Sequence, residues 1–212
     1  MRLSTVLLYL AAASLAVPGI CQFADNGDIY GPIGNPTRNQ YGTPINQDYF
    51  AAAEFSGTRS IVHLVEIGHL NQDTIEQFQQ GFYNGVMGDL TYILDHVINH
   101  PKALSLMGAV ARLTDSPTMP IPYFQKALAM YPQHALTHAQ YGTYLVSIDA
   151  VEEGLVALKK AVSIDPNLAI AQAWLAEAYY KSGDPVQGRE AATRAMELGF
   201  TKTIRGYDDP RS

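Results

Sequence analysis

The sequence predicts an all-α solenoid of stacked helical hairpins, on three observations. The first is a 34-residue period in the second half of the chain: Gly108, Gly142 and Ala176 keep it, as do Ala127, Ala161 and Ala195, and Lys126, Lys160 and Arg194. Leu128, Val162 and Met196 keep it too, with Met130, Ile164 and Leu198 and the pair Pro132 and Pro166. Self-similarity at this spacing marks repeated helical hairpins, each burying its apolar face only against its neighbours. The second observation is apolar recurrence at three and four residues within each half of the repeat. The third is the turn chemistry between the halves. Stacks of this kind bind and rarely catalyse, which sets the expected mode of action without naming a partner.

First helices are expected over 101–113, 135–147 and 169–181, and second helices over 121–131, 151–164 and 185–198. Small residues fall where two helices must come close. Gly142 makes the strongest case, because a glycine inside a helix costs roughly 0.5–1 kcal/mol relative to alanine and close packing offsets that cost. Asp165-Pro166-Asn167 separates two units. Ser182-Gly183-Asp184-Pro185 ends one helix on Gly and starts the next with an Asp cap and Pro in its first turn.

The run Ala169-Ile-Ala-Gln-Ala-Trp-Leu-Ala-Glu-Ala-Tyr-Tyr-Lys-Ser-Gly-Asp184, continuing to Ala195-Met-Glu-Leu198, resembles the tetratricopeptide repeat. So do Tyr141-Gly142 through Leu158, Lys160-Ala161 and Asp165-Pro166, and the likeness covers about residues 101–199. It implies a right-handed solenoid of three such repeats. Departures are Pro120, Gly154 and Gly188, where the family usually has Ala at its twentieth position, and a Trp at the sixth position, Trp174, instead of the fourth. The resemblance also implies a concave groove lined by Leu136, Ala139, Gln140, Thr143, Val146 and Ser147, then by Ile170, Ala173, Trp174, Glu177, Tyr180 and Lys181. That mixture suits an extended peptide or a partner helix. Leu136, Ile170 and Trp174 are also readable as core between repeats. Some members bind acidic chaperone tails through a basic, asparagine-rich clamp; Ser105, Ala109, Gln140, Ile170 and Trp174 at the clamp positions lack that chemistry.

The amino-terminal half is organised differently. Arg2 and an apolar stretch to Val17, broken by Pro18-Gly19, read as a signal peptide over 1–21 with cleavage between 16 and 21, the alternative being an uncleaved anchor. No integral membrane span is expected after cleavage. Cys21 is the only cysteine, so no intramolecular disulfide forms. Pro18-Gly-Ile-Cys21 is a poor lipoprotein signal, since Ile20 stands where a small residue belongs. Residues 22–60 form an irregular arm dense in Gly, Pro, Asn and Tyr, either a disordered leader or a segment whose tyrosines and isoleucines dock on the solenoid. Ser60-Ile-Val-His-Leu-Val65 reads as extended. Within a capping segment over 61–100, Asp73 is expected to cap a helix carrying Ile75, Phe78 and Phe82, and Asp89 another carrying Leu90, Ile93, Leu94 and Val97. The repeats then fill 101–200, with a tail over 201–212.

This half carries a resemblance of its own. Leu64-Val-Glu66, His69-Leu70, Gly88-Asp-Leu-Thr-Tyr92-Ile-Leu94, Asn99-His-Pro-Lys-Ala-Leu104 and the late Leu198-Gly-Phe200 look like a group of secreted bacterial tetratricopeptide repeat proteins of unassigned function. The likeness implies a bacterial periplasmic or secreted setting.

Catalytic signals are missing from the sequence. No glycine-rich phosphate loop, Gly-x-Ser-x-Gly elbow or paired-cysteine motif is present. Two histidine pairs stand at helical spacing, His96 with His100 and His134 with His138, and each presents only two imidazoles to a metal that wants three or four ligands. Capping is the favoured role: His100 would end a helix before Pro101, and His134 lies between two helices. A net charge of −6 and a pI near 5.4 disfavour nucleic acid and anionic lipid as partners. The expectation is therefore a non-enzymatic periplasmic module, without cofactor or metal, that binds a protein or peptide segment in its groove. The alternatives are an envelope-assembly factor, in pilus or outer-membrane biogenesis, anchored as a lipoprotein, and a metal- or substrate-binding protein built on the histidines.

Overall fold

A computed structural model describes residues 37–38, 44–54 and 61–207. The expected signal peptide with Cys21, most of the 22–60 arm and residues 208–212 lie outside the described residues. Among the described residues the regular structure is ten α-helices and one two-residue antiparallel ladder. In it β1 (Thr37–Arg38) pairs with β2 (Pro44–Ile45), Thr37 opposite Ile45. The helices are α1 (Tyr49–Glu54), α2 (Ile61–His69), α3 (Gln72–Gln80), α4 (Tyr83–His96), α5 (Pro101–Leu113), α6 (Ile121–Met130), α7 (Ala135–Ser147), α8 (Val151–Ile164), α9 (Ala169–Ser182) and α10 (Pro185–Glu197). None of them is long and apolar enough to cross a membrane. The chain divides into two compact units, one reaching to Pro132 and the other starting at Gln133. That division falls within the span 101–200 expected as one repeat domain, after its first hairpin.

The first unit is built on α4, whose Leu90, Ile93 and Leu94 are fully buried, as are Leu104 and Met107 of α5 and Phe124 of α6. The end of the arm docks here. Asn46 N–H donates to the Asp95 carbonyl (2.9 Å) and Gln47 N–H to that of His96 (2.8 Å), so the extended strand of chain satisfies carbonyls that the end of α4 leaves over. Asn99 locks the arrangement: its Oδ1 accepts the Tyr49 N–H (2.7 Å) and its Nδ2 donates to Asp48 (2.7 Å). Ile45 is buried.

Three expectations for this unit are corrected. Residues 60–65 are not extended: α2 begins at Ile61, because Val62 and Val65, three apart, are both buried and their packing outweighs the β preference of branched side chains. Asn71, not Asp73, caps α3, its Oδ1 accepting the Thr74 N–H. Asp89 caps nothing, since α4 already starts at Tyr83 and runs through Gly85 and Gly88.

The second unit holds two hairpins, α7 with α8 and α9 with α10, whose bounds agree with the sequence expectation to within a residue. Its core is mostly alanine and glycine. Ala139, Ala161, Ala171, Ala176, Ala178, Ala192 and Ala195 are fully buried with Leu158. Gly142 and Gly154 explain why. A Cβ on Gly142 would stand 2.8 Å from the Gly154 carbonyl oxygen, and a Cβ on Gly154 2.8 Å from that of Gly142, so the two backbones touch. Gly188 repeats the device, with the Tyr180 ring 2.9 Å from where its Cβ would be. The glycines that depart from the usual alanine are thus contact points. Pro120, the third departure, lies outside α6 as its N-cap. Between α9 and α10 the turn is as read from sequence: Gly183 closes α9 at φ +87° and Asp184 accepts the Gln187 N–H (3.1 Å).

Candidate functional site

Most of the residues expected to line a groove fall on two stripes on the first helices of the second unit. Leu136, Gln140, Thr143 and Ser147 recur along one face of α7, and Ile170, Trp174, Glu177 and Lys181 occupy the same places on α9. Leu136, Thr143, Ile170, Trp174 and Glu177 are half-buried, Ser147 and Lys181 exposed, and Gln140 buried. The four remaining expected residues flank the stripes and turn toward the second helices. Ala139 and Ala173 are sealed in the core, and Val146 packs on Gly154 just as Tyr180 packs on Gly188. The open surface is therefore narrower than the family pattern implies.

Three of the stripe's polar groups are already engaged within the unit, the first being Ser147, whose Oγ donates to the Tyr144 carbonyl (2.6 Å). Lys181 Nζ donates to the Val146 carbonyl at the end of α7 (2.7 Å) and pairs with Asp149 (2.7 Å), whose backbone sits at φ +68° in the α7–α8 turn. A cation at a helix carboxyl end is favourable, so Lys181 ties adjacent hairpins together. Glu177 meets the tail. Its Oε1 accepts the Arg205 N–H (3.2 Å), and its Oε2 accepts from Arg205 Nε (3.1 Å) and Nη2 (2.8 Å). Beside this pair Ile204 is buried, and Phe200 and Tyr207 pack on the same alanine-rich core. Gly206, at φ +86°, lies so close to Tyr180 that a Cβ would stand 2.7 Å from the tyrosine Cβ. Sequence reasoning missed this tail: Glu177 and Arg205 are 28 residues apart and no period connects them.

Three of the four paired histidines, His96, His100 and His134, make contacts within the fold. His96 is buried, with Nδ1 2.9 Å from the Tyr92 carbonyl and its ring 4.3 Å from that of Tyr92. His100 caps the start of α5 and does not end a helix: its Nδ1 accepts the Ala103 N–H (3.3 Å). The proton of the neutral ring is then on Nε2, 3.3 Å from Glu66 Oε1 but out of line for a hydrogen bond. Burial pushes the His100 imidazole down to about 4, with Glu66 opposing the shift and Lys102 adding to it. His134 stands at the N-cap position of α7 but its side chain accepts no backbone N–H there, its Nδ1 lying 3.4 Å from Thr137 Oγ1. Among the described residues no three His, Cys, Asp or Glu side chains cluster to hold a metal ion.

A polar cluster that the sequence did not flag replaces the expected Asp89 cap. Asp89 accepts from Thr74 Oγ1 (3.0 Å) and pairs with His69 Nδ1 (2.8 Å), and the His69 ring lies 4.1 Å from that of Tyr92. The cluster joins α2, α3 and α4. Elsewhere in this unit burial raises the Asp95 carboxyl and lowers the Lys126 ammonium, each partly offset by the other. The Tyr131 hydroxyl, which donates to the Asn46 carbonyl (2.7 Å), is pushed up to about 12 by burial and by Asp48.

Among solved structures, the chain is similar to MamA from Desulfovibrio magneticus RS-1 at 24% identity and a TM-score of 0.47, covering 60% of this chain and 72% of that one. YrrB, described as a TPR protein with an unusual peptide-binding site, is similar at 17% identity and a TM-score of 0.46, over 59% of this chain and 65% of that one. A further MamA structure covers 65% of this chain and 84% of that one, at 18% identity and a TM-score of 0.46. No family model and no curated protein matches the chain.

Proposed function

We propose that this protein is an exported, non-enzymatic interaction module that binds an extended or helical protein segment along the α7 and α9 stripes. The observation that carries the reading is the matched set of half-buried side chains, Leu136 and Thr143 on α7 with Ile170 and Trp174 on α9. Ala139 and Ala173 beside them are sealed in the core, and the stripe residues are part of the half-buried surface of these helices, with Trp174 also packed on that core. A tryptophan with three apolar or small polar neighbours at helical spacing suits an apolar anchor from a partner. Thr143 supplies a hydroxyl to fix its orientation. The net charge of −6 points away from nucleic acid.

Selection of displayed random peptides on the purified full-length chain tests the binding claim. Enriched sequences are expected to share one or two large apolar or aromatic anchors. Enrichment of acidic or basic runs without such anchors would contradict it. Export rests on Arg2, the apolar run and the Pro18-Gly19 break. Intact-mass measurement of expressed protein is expected to place the mature amino terminus between residues 17 and 22; a chain that retains Met1 would overturn the exported reading.

A further inference from the structure

We infer that the tail, Phe200–Tyr207, is a tethered occupant of the α9 end of this face, and that Glu177 and Tyr180 form a docking site for a protein segment of the order apolar–Arg–Gly. The inference rests on the binding reading above and adds to it a ligand class and a way of regulating access.

The two sides of the contact differ in how firmly they are built. Glu177 is held on the middle of α9 with its side chain 17% exposed, whereas the Arg205 side chain is 84% exposed. The carboxylate belongs to the scaffold and the arginine is the visitor. Its grip is specific, since one carboxylate takes the backbone N–H and two guanidinium N–H groups of the same residue. Specificity extends to both neighbours. Ile204, before the arginine, is buried against the α9 core. Gly206, after it, must be glycine both for its φ of +86° and for the 2.7 Å approach to Tyr180.

The tail is also built to leave. It has no helix or strand, and it departs from α10 through Gly199 at φ +88°. An ion pair this exposed adds little to stability. Release would leave the Glu177 carboxylate open to another arginine. A tethered segment competes at an effective concentration of about millimolar for a short link. An incoming segment of the same chemistry therefore binds weakly while the tail is seated and strongly once it lifts.

The test uses a labelled synthetic peptide of residues 199–212, titrated by fluorescence anisotropy against full-length protein. The Ile204→Ser, Arg205→Ala double variant, whose tail is loosened, is expected to bind it at least tenfold more tightly than the wild type does. Adding Glu177→Arg to that variant is expected to abolish binding, and a peptide carrying Arg205→Glu to restore it. That rescue requires an intact fold, so misfolding cannot imitate it. No binding to the double variant, equal binding to the wild type, or binding indifferent to Glu177 would each overturn the inference. If the peptide fails while selected peptides still need Trp174, the groove stands without the latch. If the peptide binds while selected peptides ignore Trp174, the latch stands and the wider groove falls.

Discussion

Gly142 and Gly154 show what a single absent methyl group does for this chain. Each saves a helix from a contact of 2.8 Å with the other's carbonyl oxygen, while Gly88, inside α4, has no atom within 4 Å of where a Cβ would be. The two glycines should therefore respond oppositely to the same change. Gly88→Ala is expected to stabilise by about 0.5–1 kcal/mol through helix propensity alone. Gly142→Ala should lose that gain and more, by about 1–3 kcal/mol net, because two backbones must separate. Urea unfolding of both variants checks the pair. His100 gives a second residue-scale test. With its imidazole lowered from 6.5 to about 4, the unfolded chain takes up a proton before the native one does. Stability from this group is full above pH 6.5 and is lost as pH falls toward 4, at up to about 1.4 kcal/mol per pH unit inside the window. His100→Asn, which keeps a capping side chain, is expected to be less stable at pH 7.5 but flatter between pH 6.5 and 4.5. An unchanged slope would show that His100 is not the titrating group.

At the scale of elements, the hairpins were legible and the exceptions have identifiable causes. Helix bounds from α7 to α10 follow from the 34-residue period, because each unit repeats the same packing problem and reuses small residues to solve it. Helix α2 was hidden by Ile61, Val62 and Val65, whose branched side chains suit a strand until Val62 and Val65 find a core three residues apart. The start of α4 was hidden by Gly85 and Gly88, and by an Asp89 that serves His69 and Thr74 instead of a helix end. Eight of the twelve residues expected to line a groove are half-buried or exposed. Ala139, Gln140, Val146 and Ala173 are buried because closely spaced helices turn flanking positions inward. The tail's grip on Glu177 and Tyr180 was not legible, since one arginine and one glycine in a short aperiodic segment carry no pattern. Register of the hairpins is testable through Ala161, which is fully buried where α8 meets its neighbours. Ala161→Leu is expected to cost about 1–3 kcal/mol, and Lys160→Leu, on the exposed side, less than about 0.5 kcal/mol. Equal midpoints in thermal unfolding would contradict the assigned register.

For the whole molecule, two features set the way it is expected to act. The second unit invests its core in alanine and glycine, which brings α7 and α9 near their second helices and leaves a narrow stripe facing outward. The chain then assigns part of that stripe to itself, Lys181 to the α7–α8 turn and Glu177 to the tail. What is left is apolar and aromatic, centred on Trp174. The most direct test is the dissociation constant of a selected peptide for three full-length proteins: the wild type, Trp174→Ala, and Val156→Ala, an exposed residue of α8 away from the stripes. Trp174→Ala is expected to weaken binding by about 2 kcal/mol, or roughly thirtyfold, with Val156→Ala unchanged within about twofold. Binding that ignores Trp174 and fails in Val156→Ala would put the site on the second helices and contradict the account.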